Sequence, residues 1–241
     1  MFNNMFNSKY SKTLTIILIV VIIAIIGLLI YFGIDVYRKF YIEDAAGDAV
    51  GDFQNRVTSN VIIGGNDGSP IISNDVDPNI NINDLNLNIT VGDDTTDDNN
   101  NDDNPTYMGF DMIGTIEIPA IDIEYPIIPE YQNGLNALNV GIVVLYPANL
   151  DLNEVGNIVL AGHNYRNGTF FSNNKRLEEG DSIYITDLSG ERVEYIIYRK
   201  YVTSTSDSSY MNRDTEGRRE ISLTTCTDDT SQRLIIWAAE A

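Results

Sequence analysis

Residues 113–128 read IGTIEIPAIDIEYPII. From Ile121 to Tyr125 apolar and polar residues alternate, a period of two that sends successive side chains to opposite faces of an extended chain. This predicts one strand over Ile113–Ile118 and a second over Ile121–Ile128, with Pro119 interrupting them and Pro126 near the end of the second. Six further short runs, bounded by Gly, Pro, Asn or Asp, read the same way: Gly141–Leu145, Asn157–Ala161, Ser182–Thr186, Arg192–Val202, Glu220–Thr225 and Arg233–Ala239. Eight short strands in about 130 residues indicate a mainly β domain, either a closed or nearly closed barrel or a sandwich. Thr186-Asp187-Leu188-Ser189-Gly190-Glu191 has the residues of a hairpin turn, and helical signal is confined to short pieces near Asn133–Asn139 and Phe170–Glu178. Trp237 and most of the tyrosines read as packing for this core.

The strand-rich region, 106–241, is preceded by three segments of different character. Between Lys12 and Asp35 no charge appears, and the stretch 13–34 is almost wholly apolar. About 20 such residues suffice to span a bilayer, so a single membrane-spanning anchor is expected. A cleavable signal peptide fits less well, because its apolar core is shorter and ends at small residues, whereas Tyr31, Phe32 and Ile34 follow here. Lys9 and Lys12 on one flank face Arg38 and Lys39 on the other, so charge alone gives no orientation to the 1–12 tail.

The segment 35–105 is membrane-proximal and then acidic. Residues 92–104 read GDDTTDDNNNDDN, with nothing to bury and strong self-repulsion, which predicts an extended, disordered linker from about Ala45 to Asn104. As a spacer of about 60 residues it would reach about 40–45 Å. Its aspartates lack the spacing of a calcium-binding helix–loop–helix. The strand-rich region itself carries 10 Lys and Arg against 20 Asp and Glu, which argues against nucleic acid as a partner.

The chain has one cysteine, Cys226, and one histidine, His163. Each ends an apolar run: Cys226 follows Ile221-Ser222-Leu223-Thr224-Thr225, and His163 follows Ile158-Val159-Leu160-Ala161-Gly162. A lone cysteine cannot form an intramolecular disulfide, so it is either a small buried hydrophobe or a reactive thiol. Strand ends beside polar loops are where a barrel exposes side chains, and an imidazole near a thiol can exchange protons during acyl transfer. Arg233 opens the next apolar run, a permanent charge with several donors for a developing oxyanion. The residues themselves leave open whether this trio acts together or consists of a buried thiol and two surface side chains.

ISLTTCT around Cys226, NIVLAGHNYRNGTFF around His163, QRLIIWA around Arg233 and the opening IGTIEIPAIDIEYPII together resemble the sortases, membrane-anchored cysteine transpeptidases of Gram-positive bacteria. The resemblance covers about Met112–Ala239 with the motifs in the family's order. It implies an eight-stranded β-barrel with short helices. It further implies Cys226 as nucleophile, His163 as general acid/base and Arg233 as stabiliser of the transition state, with Thr225 helping to place the substrate backbone. The N–H of Thr227 is expected as an additional oxyanion donor.

No metal or organic cofactor is implied. The expected partners are surface proteins with a C-terminal LPxTG-type sorting signal and an amine acceptor from a cell-wall precursor or pilin lysine. Topology would follow, with 1–12 cytoplasmic and the barrel outside the cell. A short Thr227–Gln232 loop, a class B-like NYRNGTFF and no proline-anchored lid point in different directions, so the subclass stays open. A cysteine hydrolase and a non-catalytic surface-binding module are the competing readings.

Overall fold

The computed structural model describes residues 9–59, 105–129 and 134–241. Most of the expected linker, 60–104, including the acidic run 92–104, lies outside them.

Eight strands close into a barrel: β3 (Gly114–Ile118), β4 (Ile123–Ile128), β5 (Ile142–Tyr146), β6 (Gly156–Ala161), β7 (Ser182–Asp187), β8 (Arg192–Ser204), β9 (Arg219–Cys226) and β10 (Gln232–Glu240). Their order around the barrel is β10-β8-β7-β3-β4-β5-β6-β9. Every expected strand is present, shifted by no more than a residue or two at most ends. Closure decides the choice between barrel and sandwich, and it leaves no unpaired edge. Two two-residue strands, β1 (Thr106–Tyr107) and β2 (Phe110–Asp111), form a small ribbon ahead of the barrel.

The alternation read from the sequence becomes the core. Ile116, Ile118, Ile127, Ile142, Leu160, Ile183, Ile185, Leu223 and Ile236 are all buried, while Glu117 and Glu124 point outward. Glu117 pairs with Arg192 at 2.6 Å, linking β3 to the start of β8. The 186–191 segment is a hairpin turn as expected, with Gly190 in the left-handed region at φ +86°. Of the two helical pieces, one is a single turn, α2 (Gly134–Ala137). The other shrinks to a 3-10 turn at Asn174–Arg176.

The larger difference lies before the barrel. Helix α1 runs from Lys9 to Ser59 without interruption, well past the expected end near Ile34. Its apolar part is long enough and apolar enough to cross a membrane by length and composition. The chain divides into two compact units, one ending at Asp44 and one spanning Ala45–Ala241. In the second unit the last turns of α1 bury Ala46, Val50 and Phe53, which are 1, 4 and 0 % exposed. Their i, i+4, i+7 spacing is the apolar stripe of a packed helix. Gln54 donates to Glu124 of β4 at 2.9 Å, and Val57 lies beside the Gly190 turn. The reading of an extended spacer beginning at Ala45 is thus corrected for Ala45–Ser59, because acidic residues on one face do not prevent three small or aromatic ones from packing on the other.

Phe53→Ala removes the largest side chain of that stripe. Hydrogen–deuterium exchange should show amides of 46–58 losing protection while those of β9 keep theirs.

Candidate active site

The geometry of the site is a consequence of register. β6 runs parallel to β9, with Asn157 beside Glu220, Val159 beside Ser222 and Ala161 beside Thr224. On the other side β10 runs antiparallel, with Trp237 beside Ser222, Ile235 beside Thr224 and Arg233 beside Cys226. Alternate residues share a face, so these form successive rows across three strands. His163 follows two residues beyond Ala161, past the last paired position of β6, and so leaves the strand at the same rim as Cys226. Cys226 therefore stands beside Arg233 across the β9–β10 pairing, with His163 on the loop that continues the strand on its other side.

The first rows are roofed by the 205–218 segment. Tyr210 packs on Val159 and Ile235, with Tyr201, Met211 and Trp237 around it. Asn157 Nδ2 donates to the carbonyls of Tyr210 and Met211 at 3.1 and 2.8 Å, holding the segment down. Arg213 enters the same face: Nη1 donates to Glu220 Oε2 at 2.7 Å, Nη2 to Asn157 Oδ1 at 2.8 Å, and the guanidinium lies 4.1 Å from the centre of the Trp237 ring. Glu220 also pairs with Arg218 at 2.7 Å and is itself only 1 % exposed. The roof ends at the Thr224–Ile235 row, where Tyr210 Oη lies 3.5 Å from Thr224 Oγ1. His163, Cys226 and Arg233 in the next row remain partly exposed.

Arg233 Nη1 donates to Cys226 Sγ, placing a permanent positive charge against the sulfur. His163 is held by its backbone: its carbonyl accepts from Phe171 N at 3.2 Å, and Gly162 N donates to Thr224 O at 3.3 Å. Gly162 must be glycine for reasons of space, since a Cβ there would stand 2.7 Å from Ile142 Cδ1 and 2.8 Å from Phe171 Cδ2. Burial and then the charge of Arg233 push the His163 imidazole below its ordinary pKa. At neutral pH the ring is therefore uncharged and able to accept a proton.

Thr225 lies on the opposite face of β9, buried, with its hydroxyl donating to Gly162 O at 2.7 Å. The N–H of Thr227, expected as an oxyanion donor, is engaged within its own loop. It donates to Gln232 O at 3.0 Å, closing the turn between β9 and β10. Among the described residues no cluster of three or more His, Cys, Asp or Glu could hold a metal ion.

The described site is thus a thiol against a guanidinium, with an imidazole on the neighbouring loop, at one rim of a closed eight-stranded barrel. The sortase domain model matches residues 116–241, just over half the chain, and the chain belongs to the sortase family. A curated relative, sortase A of Bacillus anthracis, is 31 % identical over 131 residues, covering 52 % of this chain and 58 % of that protein. Among solved structures, a Clostridium perfringens sortase D5 transpeptidase is 30 % identical with a TM-score of 0.48, covering 54 % of this chain and 79 % of that one. Sortase A from Corynebacterium diphtheriae is also 30 % identical, with a TM-score of 0.47 and coverage of 54 % and 60 %.

Because His163 is the only histidine, its NMR titration is a single curve. It should fall below the ordinary imidazole value in the wild type and move up in Arg233→Met, which removes the charge but not the burial. The sign for stability follows: the unfolded state takes up this proton at higher pH than the folded one. Stability is gained as pH rises through the ordinary imidazole range and lost as pH falls through it. Separately, Glu220→Ala leaves the largely buried Arg213 without its carboxylate. Unfolding measurements should show a loss of about 3 kcal/mol or more.

Proposed function

We propose that this protein is a single-pass, membrane-anchored transpeptidase in which Cys226, His163 and Arg233 perform the chemistry. The observation that carries the reading is the Arg233–Cys226 contact, with His163 at the same rim and within the electrostatic reach of Arg233, set in the family's barrel. His163, neutral at working pH, takes the thiol proton, and Cys226 Sγ attacks the carbonyl carbon of the scissile amide in an LPxTG-type sorting signal. Arg233 donates to the oxyanion as it forms. His163 returns its proton to the departing amine as the C–N bond breaks, leaving a thioester on Cys226. An acceptor amine, from a cell-wall precursor or a pilin lysine, attacks that thioester, and its proton passes through His163 back to sulfur. A thioester retains enough of the amide's free energy for a new amide to form without ATP.

Thr225 serves this cycle by bracing Gly162, and through it the backbone of His163. The apolar part of α1 anchors the chain with 1–12 cytoplasmic and the barrel outside. The anchor and the family's transpeptidase activity support that orientation, since both substrates lie on the outer side.

Full-length protein in detergent micelles, mixed with an LPxTG-type peptide and an amine, should yield the amine-transferred product. Cys226→Ala should abolish the reaction. Undiminished product from that variant would overturn the mechanism, and release of free acid alone with amine in excess would assign a hydrolase instead.

A further inference from the structure

β6 and β9 are held together by a parallel ladder that ends with Gly162 N donating to Thr224 O. Beyond that point the two chains must diverge, because each leaves its strand into a loop. The catalytic row begins one residue later, so the backbone ladder does not reach the residues whose distance matters most. A side chain takes over. Asn164 Nδ2 donates to the carbonyl of Cys226 at 3.0 Å, bridging the residue after His163 to the nucleophile's own peptide unit.

That amide is itself fixed from three directions. Its Nδ2 also donates to Asp228 Oδ1 at 3.0 Å, and its Oδ1 accepts from Arg166 N at 3.1 Å. Asp228, two residues after Cys226, is held by Lys175 Nζ on Oδ2 at 2.7 Å, and its backbone carbonyl accepts from Arg166 Nη1 at 3.0 Å. Arg166 sits in the left-handed region at φ +60°, a conformation that the Asn164 side chain supports locally. Lys175 and Arg166 belong to the loop after β6, and Asp228 to the loop after β9. Every contact in the group except that of Arg166 N with Asn164 Oδ1 therefore joins the histidine-bearing loop to the cysteine-bearing one.

We propose that Asn164 is a positioning residue for the reaction: its side-chain amide, oriented by Asp228, extends the β6–β9 ladder to the catalytic row and sets the separation of His163 from Cys226. This rests on the roles assigned to those two residues above. Asn164 touches neither the thiol nor the imidazole and acts only through the backbone that carries them.

Asn164→Asp is the discriminating variant. It keeps the acceptor for Arg166 N, and with it the local turn, but replaces the donor by an oxygen facing the Cys226 carbonyl and the Asp228 carboxylate. Asn164→Ala deletes donor and acceptor together. In the peptide-transfer assay both should lower kcat about 10- to 100-fold with KM little changed, the scale expected for a small misplacement of a proton-transfer group.

A second readout needs no substrate: the rate of Cys226 alkylation by iodoacetamide against pH, on full-length protein in detergent micelles. In the wild type the profile should carry an inflection that His163→Ala removes, and both Asn164 variants should displace or remove the same inflection while keeping the wild-type circular dichroism spectrum. Should either Asn164 variant fail to fold, Asp228→Asn removes the carboxylate that orients Asn164 and should shift the profile in the same direction. Wild-type profiles in the Asn164 variants, or in Asp228→Asn where it replaces them, would overturn the inference. So would a wild-type profile indifferent to His163→Ala, since there would then be no coupling to maintain. If the wild type transfers no peptide yet its His163-dependent profile is lost in the Asn164 variants, the proposed reaction fails and the positioning role stands.

Discussion

The hydrogen-bond register of β9 against its two neighbours is the constraint on which the site depends. β9 is parallel to β6 and antiparallel to β10, so the end of β6, the end of β9 and the start of β10 meet at one rim of the barrel. A slip of one residue in either pairing would turn the cysteine to the opposite face from its partners. Buried isoleucines and leucines on the inner face resist such a slip, because it would exchange them with Asn157, Ser222 and Glu220. The apolar interior thus sets the spacing of the polar row.

The same face shows how a barrel divides its outer surface between stability and chemistry. Arg213, Glu220, Asn157 and Trp237 form a closed polar and aromatic knot under the 205–218 segment, and Tyr210 adds a small apolar core outside the barrel. That cover stops one row short of the thiol. The partly exposed Cys226 and Arg233 are flanked on one side by this knot and on the other by the Asn164–Asp228 group, so they project from backbone that is held on both flanks. Lowered proton affinity at His163 follows from the same crowding, since burial and the neighbouring guanidinium both disfavour its charged form.

Much of this was legible in the sequence. Period-two alternation located all eight barrel strands, because each strand has one face against the core and one against water. Singular residues at strand ends, Cys226 and His163, marked the site, and the motifs around them gave the family. Three things were not readable. Closure of the sheet needs pairings between strands distant in sequence, and alternation carries no information on which strands are neighbours. The pairing of Arg213 with Glu220 has no local signal, since nothing in the sequence says that a loop folds back over a strand. The last turns of α1 were hidden by composition: Asp44, Asp48 and Asp52 gave that stretch an acidic, solvated look, while the stripe Ala46, Val50 and Phe53 is short and only one member is large. Asn164 and Asp228, by contrast, were adjacent in sequence to residues already singled out, and only the link between them required the fold.

Docking of the end of α1 on the barrel also changes what the acidic stretch between Ser59 and Pro105 can be for. Both of its ends belong to the same compact unit. It connects two described parts of that unit, the end of α1 and the β1–β2 ribbon, and not the apolar part of α1 to the barrel.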